Sequence, residues 1–225
     1  MGSLLGGPLS PIGWGIGLIG APLETTLARL VQWRKSLGRR LSTRRPVDRY
    51  PECLHLLAPF EALWKRELLI QAGDWTVYLN SSIDGGDPFP ATSMLGTYLR
   101  CRSIVAIHQP MTPVGHASTQ LQLFGPEGEP PLHYIRTIAA HAEDGRWSWD
   151  ASGSPLPFED TELYERRLKK ERFTRATLMH CLTALTGLDL DDDRTFGEAA
   201  LVTQKALRQG RVETLQEARA RWGLG

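Results

Sequence analysis

The spacing of apolar and polar positions changes along the chain, and each spacing predicts an element. Ser118–Asp150, STQLQLFGPEGEPPLHYIRTIAAHAEDGRWSWD, reads as three consecutive antiparallel strands. Asp144-Gly145 stands between two apolar-rich runs, the pattern of a two-residue type I′ hairpin. A two-residue loop sets Ala142 opposite Trp147, His141 opposite Ser148, Ala140 opposite Trp149 and Ala139 opposite Asp150. Because side chains alternate, one face then carries Ile138, Ala140, Ala142, Trp147 and Trp149. Two indoles over two alanines make a packing face. The opposite face carries Ala139, His141, Glu143, Arg146, Ser148 and Asp150, and is the wetter one.

Elsewhere the period is helical or strand-like by turns. Trp75–Asn80 and Ser103–Gln109 read as strands, and Ala91–Cys101 between them as a helix. Thr25–Leu41 places leucines at approximately helical spacing among arginines. Phe60, Leu63, Trp64 and Leu68 form an i, i+3, i+4, i+8 stripe, predicting a helix over Glu52–Ala72 that Gly73 stops. Glu159–Leu185 is expected to be helical with a break near Phe173-Thr174, ending at Gly187. Thr195/Glu198 and Thr214/Glu217 each match a capping box and predict two more helices.

These elements predict an α+β fold: a mostly antiparallel sheet with a central meander at about 103–151, flanked by N- and C-terminal helices, the helices on one face. The expected organisation is a Gly/Pro-rich leader over 1–24, disordered and outside the domain; a basic helical arm and linker over 25–50; an α+β core over 51–190; and a helical extension over 191–225.

Composition adjusts this picture at the N-terminal side. Net charge is +1, but eight of the 26 basic residues fall in 25–50 against one acid, Asp48, leaving 18 basic and 24 acidic residues elsewhere. A basic arm on an acidic body can dock on that body, on an anionic membrane surface or on nucleic acid. The leader lacks the positive start of a signal peptide, and prolines at 8, 11 and 22 interrupt it short of the roughly 20 apolar residues of a spanning helix. Three widely spaced cysteines suggest neither a disulfide framework nor a zinc knuckle, and a reducing cytoplasm is the expected compartment.

Candidate chemistry is sparse, and no catalytic residue, metal set or cofactor is assigned. His141, Ser148 and Asp150 share a hairpin face, yet a serine in a flat strand lacks the sharp turn and oxyanion donors of a nucleophile. His108 and His116 flank a proline-containing loop and could converge, but no third ligand is placed beside them. Asp84 and Asp87 lie in Asn80–Asp87, an oxygen-rich loop without the alternation of a calcium loop. It reads as a strand-to-helix turn in which Asp87 or a neighbour caps the next helix, and it is the loop where a functional surface is first sought. Arg34, Lys35, Arg39, Arg40, Arg44 and Arg45 form the basic arm, with Trp33 among them.

The stretches GDWTVYLNSSIDGGDP, the 118–153 meander and LPFEDTELYERR resemble a family of uncharacterised bacterial proteins common in actinobacteria, over roughly residues 50–190. The resemblance carries no site residues. At the level of fold alone, small α+β proteins of this build resemble immunity proteins of bacterial toxin systems. The expected function is therefore a non-catalytic interaction protein whose partner is another protein. The alternatives are a hydrolase-like or metal-dependent enzyme using His108, His116 or His141, and a nucleic-acid or membrane-surface binder acting through 25–50.

Overall fold

The computed structural model describes residues 2–63, 65–205 and 210–225. The glycine-rich start, expected to be disordered, is buried and supplies the middle strand of the sheet, β1 (Gly15–Ile19). After α1 (Leu23–Ser36) come β2 (Arg40–Arg44), a short 3-10 turn (Glu52–Leu57) and β3 (Phe60–Glu61). Next are β4 (Arg66–Ala72), β5 (Trp75–Asn80), α2 (Phe89–Leu99) and β6 (Ser103–Gln109). The meander follows as β7 (Ala117–Glu129), β8 (Tyr134–Glu143) and β9 (Arg146–Ser152). The chain closes with α3 (Arg175–Thr186), β10 (Phe196–Lys205), β11 (Val212–Glu213) and α4 (Leu215–Arg221). Nine strands form one antiparallel sheet in the order β2-β10-β4-β5-β1-β6-β7-β8-β9, and β3 pairs with β11 apart from it. The fold is α+β, with the expected meander at one end of the sheet.

The hairpin register is the predicted one, from Ala142 opposite Trp147 to Ala139 opposite Asp150. Asp144 and Gly145 both adopt positive φ, 48° and 73°, as the turn requires. Ile138 and Ala140 are buried in the main core, and Trp147 and Trp149 pack against it half-buried.

The helices lie on both faces of the sheet, not on one. Leu178 and Leu182 of α3, with Leu4, Leu5, Leu54 and Leu57, fill the inner core against Ile16, Leu18, Leu68, Ile70 and Leu121. Leu23 and Leu30 of α1, with Ala91 and Leu95 of α2, form a second core on the outer face against Ile19, Leu69, Tyr78 and Val202. The strands under both cores are apolar on both sides. Their short apolar runs therefore lack the alternation of a half-buried strand.

That double burial explains the misassigned elements. Leu68-Leu69-Ile70 is fully buried in β4, where a helix was expected, and Gly73 begins a tight turn into β5 with Ala72 opposite Trp75. Trp64 of the expected stripe lies outside the described residues. Thr195 starts no helix: Ala199, Ala200, Leu201 and Val202 are buried in β10, which enters the sheet between β2 and β4. Residues 191–225 are thus no simple extension, and β2, paired with β10, makes the expected basic arm part of the sheet. Within 159–185 only the second half is α-helix; Thr161–Glu165 and Lys169–Glu171 are 3-10 turns. The expected break holds, with Thr174 accepting from Thr177 N–H at the start of α3 and Gly187 ending it in the left-handed region. The capping box at Thr214/Glu217 forms in full.

β1 owes its central place to its glycines. Ile16 and Leu18 face the inner core, and Gly17 faces α2 so closely that an added Cβ would lie 1.9 Å from Thr92 Oγ1. Replacing Gly17 by alanine forces α2 off the sheet and is expected to lower stability by about 1–3 kcal/mol in chemical denaturation. An unchanged midpoint would show that the helix does not rest on this strand.

Candidate functional site

The outer face of the sheet divides into a sealed half and an open half. Over β10, β4 and β5, α1 covers a buried polar network centred on Glu67, whose side chain has no solvent exposure. Arg34 donates to both carboxylate oxygens, through Nη2 at 2.6 Å and Nε at 3.2 Å. Tyr78 donates its hydroxyl to Glu67 Oε1 at 2.7 Å, and Gln204 Nε2 donates to Oε2 at 2.9 Å. Burial works to lower the Arg34 pKa, but the bonds and charge of Glu67 outweigh it and leave the guanidinium raised. Burial, then the Glu67 charge, raises the Tyr78 hydroxyl well above its usual range. Every strong group in the network has a partner, so it locks α1 to the sheet and leaves no free acid or base.

Asn80 extends this order into the loop that follows β5. Its side-chain amide donates to the Asp87 carbonyl at 2.6 Å, and its Oδ1 accepts from Ser82 N–H at 3.1 Å and Asp87 N–H at 3.2 Å. Asp84 is exposed and pairs with Arg221 of α4 at 3.3 Å. Arg221 also pairs with Glu213 and donates to the Ile83 carbonyl. This loop is held by the protein's own groups, and Asp84 and Asp87 serve its closure.

The predicted histidines are dispersed. His108 lies on the inner face of β6, in line with Ile104 and Ala106, whereas His141 points outward from β8 opposite Ser148. His116 precedes β7 and meets the Trp222 ring edge-on at 5.9 Å. Asp150 is exposed on β9 opposite Ala139. Opposite faces keep His108 and His141 apart. Among the described residues no three His, Cys, Asp or Glu side chains gather as a metal would require.

His108 is half-buried and its Nδ1 lies 3.0 Å from Thr119 Oγ1. Burial, then the nearby Arg175 guanidinium, lowers its pKa to about 4. Of the basic arm, Arg34 is buried on Glu67 and Arg45 pairs with Glu24, while Lys35 in the last turn of α1 and Arg39, Arg40 and Arg44 along the β2 edge stay exposed.

The open half of the outer face spans β6 to β9. Rows cross it from strand to strand: Gln109, Ser118, His141, Ser148; then Ile107, Gln120, Ala139, Asp150; then Val105, Gln122, Thr137, Ser152. All but buried Val105 are half-exposed or exposed. Four strands at ~4.8 Å spacing make a floor roughly 15 Å across between the outer strand axes. Amides and hydroxyls with Ala139 occupy its centre, bordered by Ile107 and by the His141 imidazole near the hairpin end. Charge is confined to the rim, at Asp150 and the Glu143–Arg146 hairpin tip. Gln109 Nε2 and Gln122 Oε1 are covered and have no hydrogen-bond partner among the described residues. The hairpin register predicted the β8 and β9 part of this face. Glu67 went unnoticed because β4 read as a helix; as a strand, Glu67 and Leu69 share one face, and a lone acid beside apolar neighbours marks a buried pair.

Comparison with models of protein families, with curated proteins and with solved structures returns no match. No helix among the described residues is long and apolar enough to cross a membrane.

Two outcomes follow from this geometry. Arg34→Met or Glu67→Leu alone strands a buried charge and is expected to cost about 3–5 kcal/mol, while the double variant recovers most of that loss. Additive losses in urea denaturation would mean the pair is not coupled. For His108, the unfolded chain takes up a proton near pH 6.5 that the native protein refuses until about pH 4. The contribution of His108 to stability should fall as pH drops through that window and level off below it, while paired carboxylates such as Asp191 go on losing theirs at lower pH. His108→Gln should flatten that part of the melting-temperature profile, and parallel profiles would refute the assignment.

Proposed function

We propose that this chain is a non-catalytic protein-binding protein that engages its partner through the open outer face of β6–β9. One observation carries the reading: the face has an uncharged, hydrogen-bonding centre and a charged rim. Protein interfaces share that arrangement, because a charge at the centre must be desolvated while one at the rim keeps its water. Glutamine, serine and threonine side chains adapt their hydrogen bonds to a partner, as polar recognition surfaces do. If Gln109 and Gln122 turn outward, a docked partner can supply the bonds they lack. A bacterial cytoplasmic role, immunity-like in binding and masking another protein, fits this surface and rests on fold-level analogy.

A second reading is favoured by the β2 edge. Lys35, Arg39, Arg40 and Arg44 are exposed and enter no ion pair among the described residues, which suits a nucleic-acid backbone or an anionic membrane surface. The open face itself suits nucleic acid poorly, since its centre offers neither cations nor aromatic stacking platforms.

Purification of the tagged chain from its own cells, at two salt concentrations, separates the readings. The expected result is a stoichiometric protein partner whose affinity falls at least tenfold with Ala139→Arg and is unchanged by Arg40→Ala/Arg44→Ala. Binding that ignores Ala139→Arg, or that vanishes with salt and with the β2 arginines, rejects the open-face reading.

A further inference from the structure

A cavity of about 430 Å³ opens where the end of α2 meets the far end of the β7–β8 ladder. Its volume lies within the range of small-ligand pockets. Two basic side chains line it, Arg100 after α2 and His133 before β8, with Phe124 and Pro126 as an apolar wall. The surrounding backbone departs from regular structure three times over. Pairing between β7 and β8 shifts register on both sides of Phe124, and such bulges re-aim side chains beside binding sites. Arg100 and His133 both hold positive φ, 52° and 58°, a conformation costly for residues with a Cβ. Two of the four non-glycine residues in that conformation among the described residues thus line one cavity.

Neither basic group is consumed by the protein. The turn at Arg100 already closes the end of α2, since the Arg100 and Cys101 N–H groups donate to the Thr97 and Gly96 carbonyls. The Arg100 guanidinium enters no ion pair or hydrogen bond among the described residues. Glu127, the acid beside Gly125, is taken by Arg102 at 2.6 Å. His133 spends Nδ1 on the Gly128 carbonyl at 3.3 Å, and Nε2 has no partner among the described residues. Because the Gly128 carbonyl accepts, Nδ1 carries the proton, and Nε2 donates to an oxyanion only when the ring holds a second proton. The cavity therefore combines an uncompensated planar cation, an imidazole that becomes a second donor on protonation, and an aromatic wall. Phe124 is itself braced by Tyr134, ring centres 4.7 Å apart, and by Phe89 at 6.1 Å.

We propose that this cavity binds a small organic anion, with its carboxylate or phosphate group on the Arg100 guanidinium and on Nε2–H of the protonated His133 ring, and its apolar body against Phe124 and Pro126. A guanidinium fork matches either oxyanion, and a partly enclosed site strengthens the pairing over its value in open water. The cavity borders the floor assigned to a protein partner but shares none of its named residues, and the two proposals stand or fall independently.

The test is a titration of the full chain followed by amide NMR, with benzoate, phenyl phosphate and the neutral benzyl alcohol at constant ionic strength. Benzoate or phenyl phosphate should shift the amides of 96–100, 124–126 and 133 saturably, at least tenfold more tightly than benzyl alcohol. The tighter of the two anions identifies the head group. Arg100→Gly relieves the positive φ, so it should keep or raise the melting temperature while weakening the anion at least tenfold. His133→Asn, which tolerates the same backbone, should weaken it several-fold and decides the matter if Arg100→Gly folds poorly. Equal binding of the alcohol and the anions, shifts mapping elsewhere, or anion binding indifferent to both substitutions would overturn the proposal.

Discussion

The close seating of α2 on β1 is the constraint on which the remaining architecture depends. β1 is the seam of the sheet, pairing with β5 on one side and β6 on the other. It can take that place only if one face is nearly bare, because α2 must lie against it. Gly15 and Gly17 provide the bare face, and Ile16 and Leu18 anchor the other in the inner core. With a side chain at Gly17 the helix rises, and the outer core around Leu95 and Tyr78 loses its lid. The strands on either side then share no common platform.

From that seam the sheet develops asymmetrically. On the β5 side, α1 closes the outer face, and the Arg34–Glu67 pair with Tyr78 and Gln204 makes the closure specific, since a displaced helix leaves a carboxylate buried alone. On the β6 side, α2 reaches β6 and the Phe124 stretch of β7, and no helix among the described residues covers the rest. A sheet face without a helix must satisfy water, and it does so with amides and hydroxyls. The same physical requirement, that buried polar groups be paired and exposed ones solvated, yields a locked half and a presentable half from one sheet.

The inner face shows how the long segment after β9 is held without regular helix. Arg136 on β8 is 3% exposed and donates to Glu159 from Nε at 2.9 Å and Nη2 at 2.7 Å, and to the Ser152 and Gly153 carbonyls. Tyr164 donates to the same carboxylate at 2.7 Å. Residues 153–165 thus close over the meander through one buried ion pair. Glu162/Arg166 and Glu165/Lys169, four residues apart, suggest helix here, but the segment forms only 3-10 turns under this anchor.

Local chemistry was enough to determine the meander, the Asp144-Gly145 corner, its side-chain register, β5, β6, α2, and the start and stop signals at Thr174, Gly187 and Thr214. Each depends on neighbours a few residues away, so it is written in turn residues, caps and periodicity. The tertiary structure alone decided β1, β4 and β10, because strands buried on both faces need no alternation and their partners lie far off in the chain. The glycine-rich start read as disorder for the same reason: its Gly-Ile-Gly-Leu alternation is a strand pattern only when a helix supplies the missing surface. The meeting of Arg100 with His133, and of Arg34 with Glu67, likewise arises from strand order and helix placement. Such pairings join residues that no local spacing relates.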